Sequence, residues 1–222
     1  MDLKNFIRSV PDYPKKGILF RDITTLIKHE KAFSFTIDKI VEKSKKYQID
    51  KIAAVESRGF VFASAASYLL KKPFIMLRKK NKLPAEVYSI DFELEYGTAT
   101  IETHKDSFNV NDKVLIIDDL IATGGTAKAA AKLVEMSGAN VVSFIFVINL
   151  FDLNGSENLI KEGYKVENLI EFPGHWKHMN NIIVTGGLGF IGSNLIELLL
   201  KKKYFVINID KVTYSSNFYN TK

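Results

Sequence analysis

Thirteen consecutive residues place the tightest limits on what this chain can fold into: Val114-Leu115-Ile116-Ile117-Asp118-Asp119-Leu120-Ile121-Ala122-Thr123-Gly124-Gly125-Thr126. The apolar run 114–117 reads as a strand buried on both faces, which is the signature of a helix-covered parallel sheet. Asp118 and Asp119 are then expected to emerge at its carboxyl end, where open parallel sheets place their ligand crevices. Ala122, Thr123, Gly124, Gly125 and Thr126 carry little side-chain bulk. Their backbone N–H groups and the two threonine hydroxyls can surround a phosphate at the positive end of the next helix. Acids for hydroxyls beside amides for a phosphate describe a site for a phosphorylated sugar. The segment is not a Walker loop, because no Gly-Lys-Ser/Thr follows, and it is not a GxGxxG dinucleotide turn.

Length and composition narrow the class. A chain of 222 residues with 46% apolar content can bury a substantial core as one large or two small domains. It contains no cysteine, which excludes disulfides and thiolate metal sites. No uninterrupted apolar stretch reaches the ~18 residues that span a bilayer. The opening Met1-Asp2-Leu3-Lys4-Asn5 lacks the apolar core of a secretion signal. A cytoplasmic protein without a membrane partner is expected. The formal charge of +6 divides equally, with five lysines and two acids in residues 179–222 and 26 basic against 23 acidic residues elsewhere. The body is nearly balanced, so nucleic acid is not an expected partner. The cluster Arg78-Lys79-Lys80-Asn81-Lys82 instead suits a polyanionic small ligand. The four histidines, His29, His104, His175 and His178, show no spacing with carboxylates that suggests a metal site.

Periodicity predicts an opening helix over 3–10, a turn through Pro11, Pro14 and Gly17, and a helix over 31–47. Strands over 51–55, 74–78, 113–118 and 140–148 then alternate with helices over 59–70 and 126–137. That succession predicts an α/β fold with a mostly parallel sheet flanked by helices. Residues 88–94 and 98–103 alternate about the turn Glu95-Tyr96-Gly97, so an inserted antiparallel hairpin is expected over the cleft. A weaker region after Leu150 ends at Phe172-Pro173-Gly174-His175-Trp176, giving one domain over 1–178 and a second segment over 179–222.

The strand, the two acids and Ala122-Thr123-Gly124-Gly125-Thr126 resemble the phosphoribosyl pyrophosphate motif of type I phosphoribosyltransferases. Pro11-Asp12-Tyr13-Pro14-Lys15-Lys16-Gly17-Ile18-Leu19-Phe20-Arg21-Asp22-Ile23-Thr24 is similar to the N-terminal signature of the adenine phosphoribosyltransferase family. The resemblance runs over roughly residues 3–170. It implies the type I phosphoribosyltransferase fold with a hood, and transfer of 5-phosphoribosyl from phosphoribosyl pyrophosphate to adenine, giving AMP and pyrophosphate. It further implies that Leu19, Phe20, Arg21 and Leu120 bind adenine. Backbone N–H and C=O groups can read adenine's adjacent N1 acceptor and N6 donors without a charged side chain.

Glu56-Ser57-Arg58-Gly59-Phe60 matches the family's pyrophosphate loop, which implies that Arg58 binds phosphate and that the Glu56–Ser57 peptide is cis. Arg78-Lys79-Lys80-Asn81-Lys82-Leu83-Pro84 resembles the family's flexible loop, implying roles for Arg78, Lys79 and Lys82 on the pyrophosphate. Ala85 and Ala63 stand where the family usually has glycine. Glu95 is the implied general acid or base, and Tyr96 the residue that covers the site. Asp118 and Asp119 would hold the ribose hydroxyls and stabilise an oxocarbenium-like state. Mg2+ would be bound mainly through the substrate, with no direct protein ligand, and a homodimer is the family's common state. Two other readings stay open: a regulator that keeps the fold without catalysis, against which Glu95 and the basic loop weigh, and a phosphoribosyltransferase for another purine base.

From Met179 the pattern changes to strand 181–184, a turn with Gly186, Gly189 and Gly192, helix 193–202 and strand 204–209 ending at Asp210. The GxxGxxG spacing, with an acid 18 residues on, reads as the first half of a dinucleotide-binding βαβ unit. It resembles the opening of extended short-chain dehydrogenases, particularly dTDP-glucose 4,6-dehydratases, but stops before any catalytic Tyr-x-x-x-Lys. A partial Rossmann appendage left from a fused neighbouring reading frame is expected, and an NAD site at Gly186, Gly189, Gly192 and Asp210 is the other reading.

Overall fold

Residues apolar on both faces pack into the centre of a sheet, and the helices that cover it determine which strand ends stay open. The computed structural model describes residues 1–93, 97–174, 182–202 and 204–212. It divides into two units, residues 1–175 and 176–222.

The first unit opens with a 3-10 turn, Leu3–Phe6, and an antiparallel pair, β1 (Arg8–Pro11) and β2 (Leu19–Asp22). The expected opening helix is thus replaced by a turn and a strand. Leu3 and Ile7, one helical turn apart, are both buried, but Ile7 is already extended and leads the chain into pairing with β2. Next come α1 (Thr24–Ile27), α2 (Glu30–Ser44), β3 (Lys51–Val55), α3 (Arg58–Leu70) and β4 (Phe74–Lys79). The hairpin β5 (Val87–Glu93) and β6 (Thr98–His104) precedes β7 (Lys113–Ile121), α4 (Gly125–Met136), β8 (Asn140–Leu150), α5 (Gly155–Lys161) and β9 (Val166–Phe172).

Seven strands form one sheet in the order β5-β6-β4-β3-β7-β8-β9. From β4 to β9 neighbours are parallel, and the hairpin joins β4 antiparallel through Arg78↔Glu102 and Lys79↔Ile101. The hairpin therefore extends the sheet, and only its far end reaches the cleft. One core, built around Phe62, Leu115, Ile117 and Ile145, lies under α2 and α3; the other, around Leu77, Ile116, Phe144 and Phe146, lies under α4. Small residues let the helices approach: Ala63 and Ala66 of α3 and Ala130 and Ala131 of α4 have no exposed surface. Ala63, where glycine is usual, is thus accommodated within the core.

β9, which went unpredicted, is fastened to α2 by Glu167. Its carboxylate accepts from Lys43 Nζ and Lys46 Nζ, each at 2.7 Å, and from the Tyr47 hydroxyl at 3.2 Å. Burial pushes the Glu167 carboxyl up, but the two lysine hydrogen bonds outweigh it and bring the pKa to about 2. A folded-state pKa below the unfolded value adds stability that is present above the usual carboxylate range and lost as pH falls toward 2. Glu167→Gln is therefore expected to cost about 1–2 kcal/mol at pH 7, discounted for the exposure of Lys46. The deficit should shrink as denaturant titrations move from pH 5 to pH 2.5; one that stays constant would deny the linkage.

The second unit contains β10 (Ile182–Thr185), α6 (Phe190–Lys201) and β11 (Val206–Ile209), with β10 and β11 parallel. Its core is small: Val184, Ile196 and Leu199 are buried, with Ile182, Tyr204 and Val206 packed against them.

Candidate active site

The carboxyl ends of β3 and β7 and the start of α4 enclose a cleft of about 420 Å3, within the range of small-ligand sites. Arg58, Asp118, Asp119, Leu120, Ala122, Thr123, Gly124, Gly125 and Thr126 all line it, from segments far apart in the chain. β7 does not stop at the acids as expected. It runs on to Ile121, with Asp118 opposite Phe146 and Leu120 opposite Ile148 on β8. Gly124, at φ +91, is the N-cap of α4 and supplies no side-chain cap. The first-turn N–H groups of α4 thus have no capping side chain, at a place where the backbone lines the cleft.

Asp119 is only 4% exposed. Its Oδ2 lies 2.9 Å from Arg58 Nη2 as an ion pair without hydrogen-bond alignment. Asp118 Oδ1 accepts the Asp119 N–H at 2.8 Å. Burial, and then the charge of Asp119, raise the Asp118 carboxyl well above its usual range. Burial raises Asp119 as well, with Arg58 opposing it. Two acids this close, one buried and one half-buried, cannot both ionise at low cost until a cationic or hydroxylated ligand arrives. Gly59 makes the arrangement possible, since a Cβ there would sit 2.5 Å from Asp118 Oδ1 and 3.2 Å from the Ile117 carbonyl oxygen.

The Glu56–Ser57 peptide is cis, as the resemblance implied, and both residues line the cleft. Arg78, Lys79 and Lys82 lie outside the lining. Arg78 pairs with Glu56, with Nε to Oε2 at 3.3 Å, and donates through Nη1 to the Lys82 carbonyl at 3.4 Å. The Lys79 amide also donates to Glu56 Oε2, at 3.1 Å. The Glu56 carboxyl is drawn below its usual range, first by the Arg78 hydrogen bond. The basic loop is thereby gathered at the mouth of the same β3–α3 turn. The Ala85 amide donates to His104 Nε2 at 3.4 Å.

Leu19, Phe20 and Arg21 are also outside the lining. Phe20 meets the Tyr13 ring edge-on at 5.1 Å, and the Arg58 guanidinium lies 5.3 Å from the Phe20 centroid. Arg58 is therefore shared between the acids and β2. The Arg21 side chain is committed elsewhere: it donates to Ser9 Oγ and, at 2.9 Å, to the Pro173 carbonyl, and it lies over the Phe172 ring at 4.2 Å. Contact between residue 21 and a ligand in the cleft is left to its backbone.

Glu95 and Tyr96 lie outside the described residues. The lining includes Glu93 and Phe146, which sequence reasoning missed. Glu93 closes an alternating strand beside the predicted turn, a position from which an acid could have been singled out. Phe146 lies inside an unbroken apolar run and gave no signal. Among the described residues no cluster of His, Cys, Asp and Glu could hold a metal by itself, and no helix is long and apolar enough to cross a membrane.

In the second unit, Gly192 packs where a Cβ would overlap the Gly186 carbonyl oxygen and lie 2.7 Å from Gly187 Cα. The Gly187 amide donates to Asn208 Oδ1 at 3.1 Å and the Leu188 amide to Asp210 Oδ2 at 2.8 Å, while the Gly189 amide donates to the Gly186 carbonyl at 3.1 Å. Three successive N–H groups of the Gly-rich turn, those of Gly187, Leu188 and Gly189, are therefore satisfied by the unit itself.

Comparison with known proteins agrees with this geometry. Residues 23–178 match the phosphoribosyl transferase domain family, and residues 183–222 match part of the GDP-mannose 4,6 dehydratase family. The adenine phosphoribosyltransferase of Pelagibacter ubique is 76% identical over 175 residues, covering 79% of this chain and all of that protein. The solved adenine phosphoribosyltransferase of Thermoanaerobacter pseudethanolicus is 46% identical with a TM-score of 0.74, over 77% of this chain and 98% of that one. The Saccharomyces cerevisiae enzyme, solved with D-2,5-dideoxy-2,5-imino-altritol 1,6-bisphosphate and adenine, is 35% identical with a TM-score of 0.70, over 76% and 96%.

Proposed function

This chain belongs to the phosphoribosyl transferase domain family and, within it, to the adenine phosphoribosyltransferases of purine salvage; on that premise we propose how its residues divide the work. The reaction moves 5-phosphoribosyl from phosphoribosyl pyrophosphate to adenine. The bond from the anomeric carbon to the pyrophosphate oxygen breaks, the bond to adenine N9 forms, the N9 proton is lost, and AMP and pyrophosphate leave. Positive charge grows on the ribose and negative charge on the departing group, so each half needs its own field.

In this reading Ala122, Thr123, Gly124, Gly125 and Thr126 hold the 5′-phosphate on backbone dipoles. Asp118 and Asp119 grip the ribose hydroxyls and stabilise the positive ring. Arg58 leaves Asp119 for the pyrophosphate, and Arg78, Lys79 and Lys82 join it when their loop closes and excludes water. Leu19, Phe20 and Leu120 fix the adenine plane, and Glu95 receives or relays the N9 proton. Mg2+ would be bound mainly through the oxygens of phosphoribosyl pyrophosphate, with the acid pair facing it across the ribose. Bound in that way it would supply neutralising charge to the departing pyrophosphate. A homodimer and a cytoplasmic location belong to the same reading.

One observation carries the proposal: a buried acid, Asp119, its half-buried neighbour Asp118, an uncapped small-residue loop and Arg58 share a single cleft. The test is incubation with phosphoribosyl pyrophosphate, Mg2+ and each of adenine, hypoxanthine, guanine and orotate. AMP is expected from adenine, at a rate far above the nucleotide formed from the other three. Absence of AMP, or equal use of hypoxanthine, would overturn the substrate assignment.

A further inference from the structure

The phosphate loop has a back as well as a face, and the back is made by a residue to which no motif assigns a role. Gly155, buried at the start of α5, lies directly against the loop. Its amide donates to the Ala122 carbonyl at 3.0 Å. A Cβ on Gly155 would overlap that carbonyl oxygen and lie 2.8 Å from Ile121 Cγ1 and 2.9 Å from Gly124 N. From the other side, a Cβ on Gly124 would lie 3.2 Å from the Gly155 carbonyl oxygen and 3.3 Å from its Cα. Two glycine backbones therefore meet in van der Waals contact, and one of them belongs to the loop. Ser156 mounts this contact on the sheet: its Oγ donates to Asn149 Oδ1 at 3.1 Å and accepts from Asn168 Nδ2 at 3.2 Å. A backbone hydrogen bond and a close backbone contact hold the loop where no side chain projects from behind it.

We propose that Gly155 is a positioning residue for the phosphoribosyl end of the substrates, setting through Ala122 and Gly124 the curvature of the loop that receives the 5′-phosphate. The proposal rests on the reading that residues 122–126 hold that phosphate. Gly155 touches no substrate. A side chain there has no soft neighbour to displace except Ile121, so the Ala122 carbonyl and the Gly124 amide must move, and the first-turn amides of α4 move with them. The pyrophosphate side, built on Arg58 and the loop 78–82, is untouched.

The test is equilibrium binding of ribose 5-phosphate and of inorganic pyrophosphate to the full-length protein, each with Mg2+. Gly155→Ala is expected to weaken ribose 5-phosphate by at least about tenfold, as a displacement of this size in a preorganised site implies, while pyrophosphate changes by less than about threefold. Leu159→Ala is the control for stability alone, because Leu159 is fully buried one turn further along α5 and belongs to the core under α4. It should lower the melting temperature and leave both affinities in place. If Gly155→Ala binds both ligands like the wild type, or if Leu159→Ala weakens ribose 5-phosphate equally, the proposal is wrong. If Gly155→Ala does not fold, Ser156→Ala decides: weaker ribose 5-phosphate with unchanged pyrophosphate upholds it, and no change overturns it. Wild-type protein that fails to bind ribose 5-phosphate would instead reject the phosphate-loop reading itself.

Discussion

Replacing Asp119 by Asn should lower kcat/KM for AMP formation by about 10²–10³-fold while leaving the protein folded, the magnitude expected when one preorganised charge at a developing opposite charge is removed. The two halves of this expectation come from the same burial. Asp119 is nearly inaccessible to water, so its charge acts on the cleft at low dielectric and is hard to replace with solvent. Burial also raises its pKa, despite Arg58, so that the folded protein is less stable with this group ionised. A carboxyl whose folded pKa lies above its unfolded value costs stability once pH exceeds the unfolded pKa, and asparagine removes that cost. The melting temperature at pH 7 should therefore stay constant or rise while turnover collapses. Steady-state kinetics beside calorimetry decide the matter. Activity within tenfold of the wild type, or an activity loss that follows unfolding, would remove Asp119 from the chemistry.

Gly59→Ala should be nearly as damaging, through a residue that contributes no functional group. The added methyl would stand 2.5 Å from Asp118 Oδ1, and the Ile117 carbonyl at 3.2 Å leaves no path on the strand side. Either the carboxylate rotates away from its hydrogen bond with the Asp119 amide or the first turn of α3 withdraws from β7. Both disturb the acid pair, and withdrawal also carries Arg58 with it. A displacement of this order in a site that works by orientation costs about a hundredfold in kcat/KM. The cause is separable by a double-mutant cycle. In an Asp118→Ala background the methyl meets no carboxylate, so adding Gly59→Ala should cost less than about threefold more. Fully additive losses would show that Gly59 serves only the packing of α3.

The centre of this site was legible in the sequence because two strong signals coincide there. Val114 to Ile117 read as a buried strand, being mostly β-branched and short, and the small residues after the acids suit close approach to a ligand. Local patterns misled where tertiary pairing overrides them. Leu3, Phe6, Ile7 and Val10 repeat at helical spacing, yet the segment from Arg8 pairs with β2 because an extended partner lies beside it. β9 was hidden by Glu167, Asn168 and Glu171, polar residues that the alternation allows only because Lys43, Lys46, Ser156 and Asn149 stand ready to receive them. Gly155 follows Asn154, a pair that reads as an ordinary turn; the contact that gives it meaning joins residues some thirty positions apart. In the second unit the turn's glycine spacing was legible in the sequence, and its internal hydrogen bonds were not. Asn208 and Asp210, some twenty positions on, accept from the Gly187 and Leu188 amides.

The continuation of β7 through both acids separates two kinds of motion in this enzyme. A carboxylate on a loop would have to be immobilised afresh in every catalytic cycle, whereas these two inherit their places from ladder bonds to β8 that form when the chain folds. The floor of the cleft thus belongs to the sheet itself, and in the proposed reading closure falls to the basic loop at the mouth. Trimming or loosening the segments around the mouth leaves the ladder that carries the two acids in place.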